Sequence, residues 1–216
     1  ILLNIKVKKS TDNKHEEISL KHIFKDKILN LYSTYVLIGT IAMSTALGLK
    51  MLTLTNYFKF SDNVATNYLL IVGLLADIFG IIALKYLTPK NDYLTMTIKF
   101  GIRFLAYVIA FISNNVLITL IAITWSIFIS TSYENICDAV YINRLENKYQ
   151  LSFSNICHII RFLGEAIGVY LCGLMYEIGL RYMFGLSALF MIVQISLAYY
   201  LIYLRKKEKD LKEEKI

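Results

Sequence analysis

Ionisable side chains lie inside several long apolar stretches of this sequence, where a charge is costly. Asp77 and Arg103 lie in two neighbouring stretches, and Glu134, Arg161 and Glu165 lie in two later ones. Charges within a membrane-length apolar segment are rare, and they tend to be paired or functional. Carboxylates and guanidinium groups in such places can bind a proton, an ion or a charged solute. The residue types therefore indicate binding chemistry rather than covalent catalysis.

The first two charges are predicted to meet. At 1.5 Å per helical residue, Asp77 lies about 14 Å from Tyr86 and Arg103 lies about 15 Å from Tyr93. A short turn joins these two segments, so they should be antiparallel neighbours with both charges at one depth. We expect an ion pair between Asp77 and Arg103, or between Asp77 and Lys99, acting as a structural lock or as part of a coupling site.

The later charges repeat this arrangement across a second short turn. Arg161 is predicted to meet Glu134, and Glu165 lies one helical turn deeper than Arg161 on the same face. Burial raises the pKa of a carboxyl group, whereas a neighbouring arginine lowers it, and both effects suit reversible protonation. We expect Glu165 to respond to protons or substrate, with Arg161 tuning it and Glu134 holding Arg161. The alternative is a simple intrahelical Arg161–Glu165 pair.

Six apolar segments must position these residues. Each is near the 20 residues that a helix needs to span a bilayer, so we predict an all-α polytopic membrane protein with six transmembrane helices. The predicted crossings are Leu31–Thr55, Val64–Tyr86, Tyr93–Ile112, Val116–Val140, Leu151–Tyr176 and Leu180–Leu204.

Connecting segments alternate in charge and predict the orientation. Lys and Arg are concentrated in residues 1–30, in the second-to-third and fourth-to-fifth connections and in the tail, whereas the other connections hold only Lys59 and Arg181. Such residues stay on the cytoplasmic side, so both termini of this segment should be cytoplasmic in a multi-pass protein of the cell membrane. The predicted organisation is a cytoplasmic linker (1–30), a six-helix bundle (31–204) and a charged cytoplasmic tail (205–216).

Composition argues against several other classes of protein. The net charge of +7 could indicate nucleic-acid binding, but loop and tail lysines facing anionic lipid explain it better. Cys137, Cys157 and Cys172 lack paired spacing and should be apolar fillers rather than a disulfide or metal site. Catalytic and nucleotide-binding motifs are missing. We expect neither an enzyme nor a metal or cofactor site.

The fifth segment contains closely spaced small residues. Gly164 and Gly168 form a small-xxx-small pattern, which lets two helix backbones approach closely. We expect tight packing against another helix of the chain, and the pattern could also serve a surface that slides during transport.

Two stretches carry a resemblance to a known family. Residues 73–80, Gly-Leu-Leu-Ala-Asp-Ile-Phe-Gly, are similar to the Gly-x-Leu-Ala-Asp-x-x-Gly motif of the major facilitator superfamily. The glycine-rich fifth segment, followed by residues 179–184, resembles the junction between crossings eleven and twelve of those transporters. A basic linker before the first crossing fits the same pattern. Essentially the whole chain thus resembles the C-terminal six-helix half of a major facilitator superfamily transporter.

This resemblance implies a function and partners. It implies a secondary active transporter that moves a small solute by alternating access, with proton-coupled efflux, and an N-terminal six-helix half that completes the fold. The alternatives are a six-helix, small-molecule-binding membrane subunit of a larger transport complex and a non-transporting membrane partner. The residues that the resemblance implies as cavity-lining are Tyr32, Tyr35, Asn67, Tyr68, Trp125 and Tyr133.

Overall fold

The computed structural model describes residues 26–86, 92–113, 115–128 and 147–213. Throughout these ranges the chain is helical, with short connections and no strand, which confirms the all-α prediction for the described part. The helices are α1 (Lys27–Leu47), α2 (Asp62–Tyr86), α3 (Asp92–Ile112), α4 (Val116–Phe128), α5 (Asn147–Ile178) and α6 (Leu180–Glu213).

Helix α1 has a capped start and an irregular end. The Asp26 carboxylate accepts hydrogen bonds from the backbone N–H groups of Ile28 (2.8 Å) and Leu29 (3.1 Å), which satisfies two donors that a helix start leaves open. After Leu47 the chain continues through a short turn, Lys50–Leu52, and a π-helical turn, Thr53–Tyr57. The first helix therefore begins four residues before the predicted start of the first crossing at Leu31. Residues 1–25 of the predicted linker lie outside the described residues.

Four helical segments are long and apolar enough to cross a membrane, which makes the chain compatible with a membrane location. They are Lys27–Tyr57, Asp62–Phe79, Phe153–Ile178 and Leu180–Leu204. Two shorter apolar helices, Phe100–Ile112 and Val116–Phe128, lie between them. The predicted number of six crossings, and their orientation, stay predictions.

Helix α1 forms the centre of the bundle. It packs against α5 and α6, while α3 packs against α6, and α5 also contacts α6. Half of the apolar part of α1 is buried within the chain, compared with 17% for α2 and for α5. Long faces of α2 and α5 are therefore left uncovered by the described part of the chain.

Close backbone contact joins α1 and α5. A Cβ atom at Gly168 would lie 2.6 Å from the Ser44 Cβ and 2.8 Å from the Ile41 carbonyl oxygen. At Gly164 it would lie 3.0 Å from the Leu37 carbonyl oxygen. These contacts progress in the same direction along both helices, so α1 and α5 run parallel. The predicted tight packing of the small-xxx-small pattern is confirmed.

Candidate functional site

Arg103 is the most deeply enclosed charge among the described residues. Its side chain is 2% exposed, and it lies about 17 Å from the start of α3 and about 14 Å from its end, at 1.5 Å per residue. Its Nε donates a hydrogen bond to the Tyr107 hydroxyl at 3.2 Å, and its guanidinium carbon lies 5.7 Å from the Tyr107 ring centroid. Tyr107 therefore helps to hold a charge near the middle of the bundle.

Sequence reasoning missed Tyr107, although a signal for it exists. Tyr107 follows Arg103 by four residues, the spacing that puts two side chains on one helix face. Its ring is buried and packs against Phe184 of α6 at 6.4 Å between centroids. That contact fixes the ring, and with it the hydroxyl that accepts from Arg103.

An aromatic cluster closes the bundle near the start of α1. Tyr32 stacks on Tyr35 (5.6 Å between centroids), Tyr35 meets Phe100 edge-on (5.9 Å), and Tyr32 contacts Phe153 (6.1 Å). All four rings are buried. Tyr32 and Tyr35, expected from the resemblance to line a cavity, thus lie inside a packed junction of α1, α3 and α5. We call these four residues the aromatic cluster.

The predicted pairing of Asp77 with Arg103 is not seen, and the alternative pairing with Lys99 stays a prediction because the Lys99 side chain is outside the described part of the structure. Asp77 lies on the exposed side of α2, beside the exposed Leu74, Leu75 and Ile78. Within the described residues no ion pair joins its carboxylate to the Arg103 guanidinium, which instead contacts Tyr107. Asp77 therefore places a carboxylate on an uncovered apolar face about 14 Å from the end of α2.

Glu165 has a similar position on α5. It lies about 18 Å from Phe153 and about 20 Å from Ile178 at 1.5 Å per residue, at the middle of the apolar span that those residues bound. Its side chain is exposed, whereas Arg161 is half-buried, and no ion pair joins the two within the described part of the chain. Glu134, the third member of this predicted group, lies outside the described residues.

The remaining cavity-lining candidates are spread over separate places. Tyr68 of α2 and Thr124 of α4 share a hydrogen bond between their hydroxyl groups. Trp125 lines an apolar groove of about 300 Å³ between α3 and α4. Asn67 is exposed, and Tyr133 lies outside the described residues. Among the candidates that the structure describes, no single cavity is lined by all of them.

Tyr68 also borders a small cavity at the irregular end of α1. This cavity, of about 10 Å³, lies between α1, α2 and α4, and Lys50 and Thr53 contribute to its wall. Thr53 is buried, and its hydroxyl has no hydrogen-bond partner among the described residues. The volume suits about one water molecule. The π-helical turn that begins at Thr53 borders this cavity, and such turns often occur at functional positions.

Comparison with known proteins does not assign a family. No protein-family model matches the sequence, and no curated protein matches it. Among the described residues, no group of three or more His, Cys, Asp or Glu side chains could hold a metal ion. The function must therefore be argued from the charges and their surroundings.

Proposed function

We propose that this chain is the six-crossing half of a secondary active transporter of the major facilitator type. It moves a small solute by alternating access, as an exporter driven by protons. The observation that carries the proposal is the position of Glu165, a carboxylate at mid-span on an uncovered face of α5. The resemblance of residues 73–80 and of the α5–α6 junction supplies the class.

The cost of placing a charge in hydrocarbon favours water or protein, rather than lipid, around Glu165. A charged side chain at the centre of a membrane helix costs about 3 kcal/mol on insertion scales when hydrocarbon surrounds it. Asp77 on α2 would incur a similar cost. A water-filled cavity, or a second six-helix bundle placed against α2 and α5, removes that penalty. The uncovered faces of these two helices are where such a bundle would fit.

Alternating access then supplies a reason for the carboxylate. When the surroundings of Glu165 change from water to apolar side chains, its affinity for a proton must change, because burial disfavours the charged form. Proton binding from one side and release to the other can thereby drive solute in the opposite direction. Tyr107, which accepts a hydrogen bond from Arg103 within α3, packs against Phe184 and so connects α3 to α6.

The aromatic cluster supports a conformation in which the bundle is closed at the end where α1 begins. Tyr32, Tyr35, Phe100 and Phe153 fill the space between three helices where α1 begins. If the lysine bias gives the orientation, this is the cytoplasmic end. Opening towards the cytoplasm would then require the four rings to separate.

Orientation can be tested independently of transport. Reporter fusions after Lys90 and after Lys207 should behave as cytoplasmic, and a fusion at Asn114 should behave as external. An external signal at Lys207, or a cytoplasmic one at Asn114, would contradict both the six crossings and the assigned orientation.

Efflux is tested with cells that produce the chain in its natural flanking sequence. A panel of fluorescent small solutes is loaded, and retention is measured with and without a protonophore. Glu165→Gln should lose at least about tenfold of the gradient-driven export, because it cannot release a proton, while Glu165→Asp should keep part of it. Glu177→Gln, which changes an exposed carboxylate at the end of α5, is the matched control. Wild-type gradient dependence in Glu165→Gln would remove the proposal.

The alternative function, a membrane subunit of a larger complex, draws on the same uncovered faces. The exposed side of α2 around Asp77 could contact a separate chain rather than a second half of this one. That reading predicts co-purification with a different membrane protein and no export by this protein on its own.

A further inference from the structure

Lysine and tyrosine side chains lie close together where the start of α1 meets the end of the apolar span of α6. Lys27 is the first residue of the apolar span of α1, and Leu204 is the last of the span of α6. Five residues at this end form what we call the cationic patch: Lys27, Tyr200, Tyr203, Lys206 and Lys207.

Contacts bring the two helices together in this patch. The Lys27 Nζ lies 5.6 Å from the centroid of the Tyr200 ring, within the range of a cation–π interaction. Tyr200 and Tyr203 stack, with centroids 6.5 Å apart and planes at 15°. Tyr200, Tyr203 and Lys207 follow the i, i+3, i+7 spacing that puts them on one helix face.

The side chains of the cationic patch are exposed, and they lie at the end of the apolar span of α6. Tyr200 is 42% exposed and Tyr203 is 55% exposed, and both Lys206 and Lys207 are exposed. Lys206 and Lys207 lie about 3 Å and 5 Å beyond Leu204 at 1.5 Å per residue. Headgroup regions add roughly 5–7 Å to each side of the hydrocarbon. The lysines are therefore level with lipid phosphates, and the tyrosines are level with the hydrocarbon boundary.

The carboxylate next to Lys27 in the sequence is already engaged. Asp26 precedes Lys27, but its carboxylate accepts hydrogen bonds from the backbone N–H groups of Ile28 and Leu29. It serves as the cap of α1 rather than as a partner for the patch. The start of α1 also carries the positive end of its helix dipole. This partial charge adds to that of the Lys27 ammonium group and favours an anion at this end of α1.

We propose that the cationic patch binds the phosphate headgroup of an anionic glycerophospholipid. The ammonium groups of Lys27, Lys206 and Lys207 face the phosphate, and the rings of Tyr200 and Tyr203 lie against the glycerol and upper acyl region, where aromatic belts occur. A bound lipid would join the start of α1 to the end of α6. This proposal does not depend on transport.

The test uses the full chain purified in neutral detergent and titrated with phosphatidylglycerol or phosphatidylcholine. Bound lipid is counted by native mass spectrometry, and the thermal unfolding midpoint is followed in parallel. Phosphatidylglycerol should remain bound and raise the midpoint, while phosphatidylcholine should do neither. The patch variant, Lys27→Gln/Lys206→Gln/Lys207→Gln, should bind phosphatidylglycerol roughly tenfold more weakly.

A matched variant removes three positive charges from the rest of the chain. Lys50→Gln/Lys59→Gln/Arg181→Gln has the same net charge as the patch variant, and it should bind phosphatidylglycerol within about twofold of the wild type. Replacing the three patch lysines by arginine should retain binding, which excludes a folding defect as the cause.

Three results would overturn the proposal. Equal weakening by both triple variants would mean that overall charge, not the patch, attracts the lipid. Competition by millimolar glycerol phosphate would indicate a site for a small soluble anion instead of a lipid. Equal binding of phosphatidylcholine would mean that the headgroup charge is not recognised.

Discussion

Replacing Gly168 by alanine should force α1 and α5 apart. The new Cβ would lie 2.6 Å from the Ser44 Cβ, 2.8 Å from the Ile41 carbonyl oxygen and 3.1 Å from the Thr45 nitrogen. Ordinary contact needs at least 3.4 Å. Two of these neighbours are backbone atoms and the third is the first atom of a side chain, so no rotamer change relieves the clash. The helices themselves must shift.

We expect Gly168→Ala to lower the free energy of unfolding by about 1–3 kcal/mol, as overpacking in a well-packed interior does. Gly173→Ala on the same helix is the control, because a Cβ there meets nothing within 4 Å. Its better helix propensity should leave stability unchanged or raise it by up to about 1 kcal/mol. The assay is unfolding in mixed micelles of a mild detergent and dodecyl sulfate. Equal stability of the two variants would refute the described α1–α5 contact.

Two further predictions concern buried polar groups. Tyr107→Phe removes the acceptor of the Arg103 Nε–H and should lower the free energy of unfolding by about 1.5–3 kcal/mol in the same assay. The control, Tyr170→Phe at an exposed position, should change it by less than about 0.5 kcal/mol. Equal effects of the two variants would contradict the Arg103–Tyr107 contact. Gly39→Ala would bring a Cβ into contact with the side-chain amide of Gln194. Because Gln194 is buried, its amide has little room to move, so the substitution should destabilise the protein. Combination with Gln194→Ala should give a coupling energy of at least about 1 kcal/mol, and strictly additive losses would show that the two residues do not touch.

Helix positions follow closely from the sequence because a continuous apolar run has few other ways to satisfy its backbone. The second predicted segment and α2 both end at Tyr86, and the sixth predicted segment and α6 both begin at Leu180. Polar flanks are harder to place. Helix α6 continues to Glu213, well past the predicted end of its crossing, since charged residues can extend a helix into water.

Side-chain partners are harder to predict from the sequence than helix positions. Residue number gives the depth of a side chain along a helix, but not the direction in which it points around the helix axis. Residue number gives the depth of Asp77 and Arg103, and the two are indeed near mid-helix. Rotation about the helix axis depends on how neighbours pack, and it turns Asp77 outward while Arg103 is enclosed. The local partner Tyr107 could be found from spacing alone. The α1 contacts of Gly164 and Gly168 needed the fold to identify the second helix.

Proton coupling through Glu165 requires that water reach this residue at mid-span, and cysteine accessibility tests that requirement without knowledge of the substrate. In a background where Cys137, Cys157 and Cys172 are serine, Glu165→Cys is treated with a membrane-impermeant maleimide in intact membranes. Leu163→Cys is the control, because Leu163 is exposed at nearly the same depth and lies about 160° around the helix axis from position 165. We predict rapid labelling at position 165 and little at 163, since a thiol in hydrocarbon does not ionise. Equal protection of both positions would show that water does not reach position 165, and it would contradict proton coupling through this carboxylate.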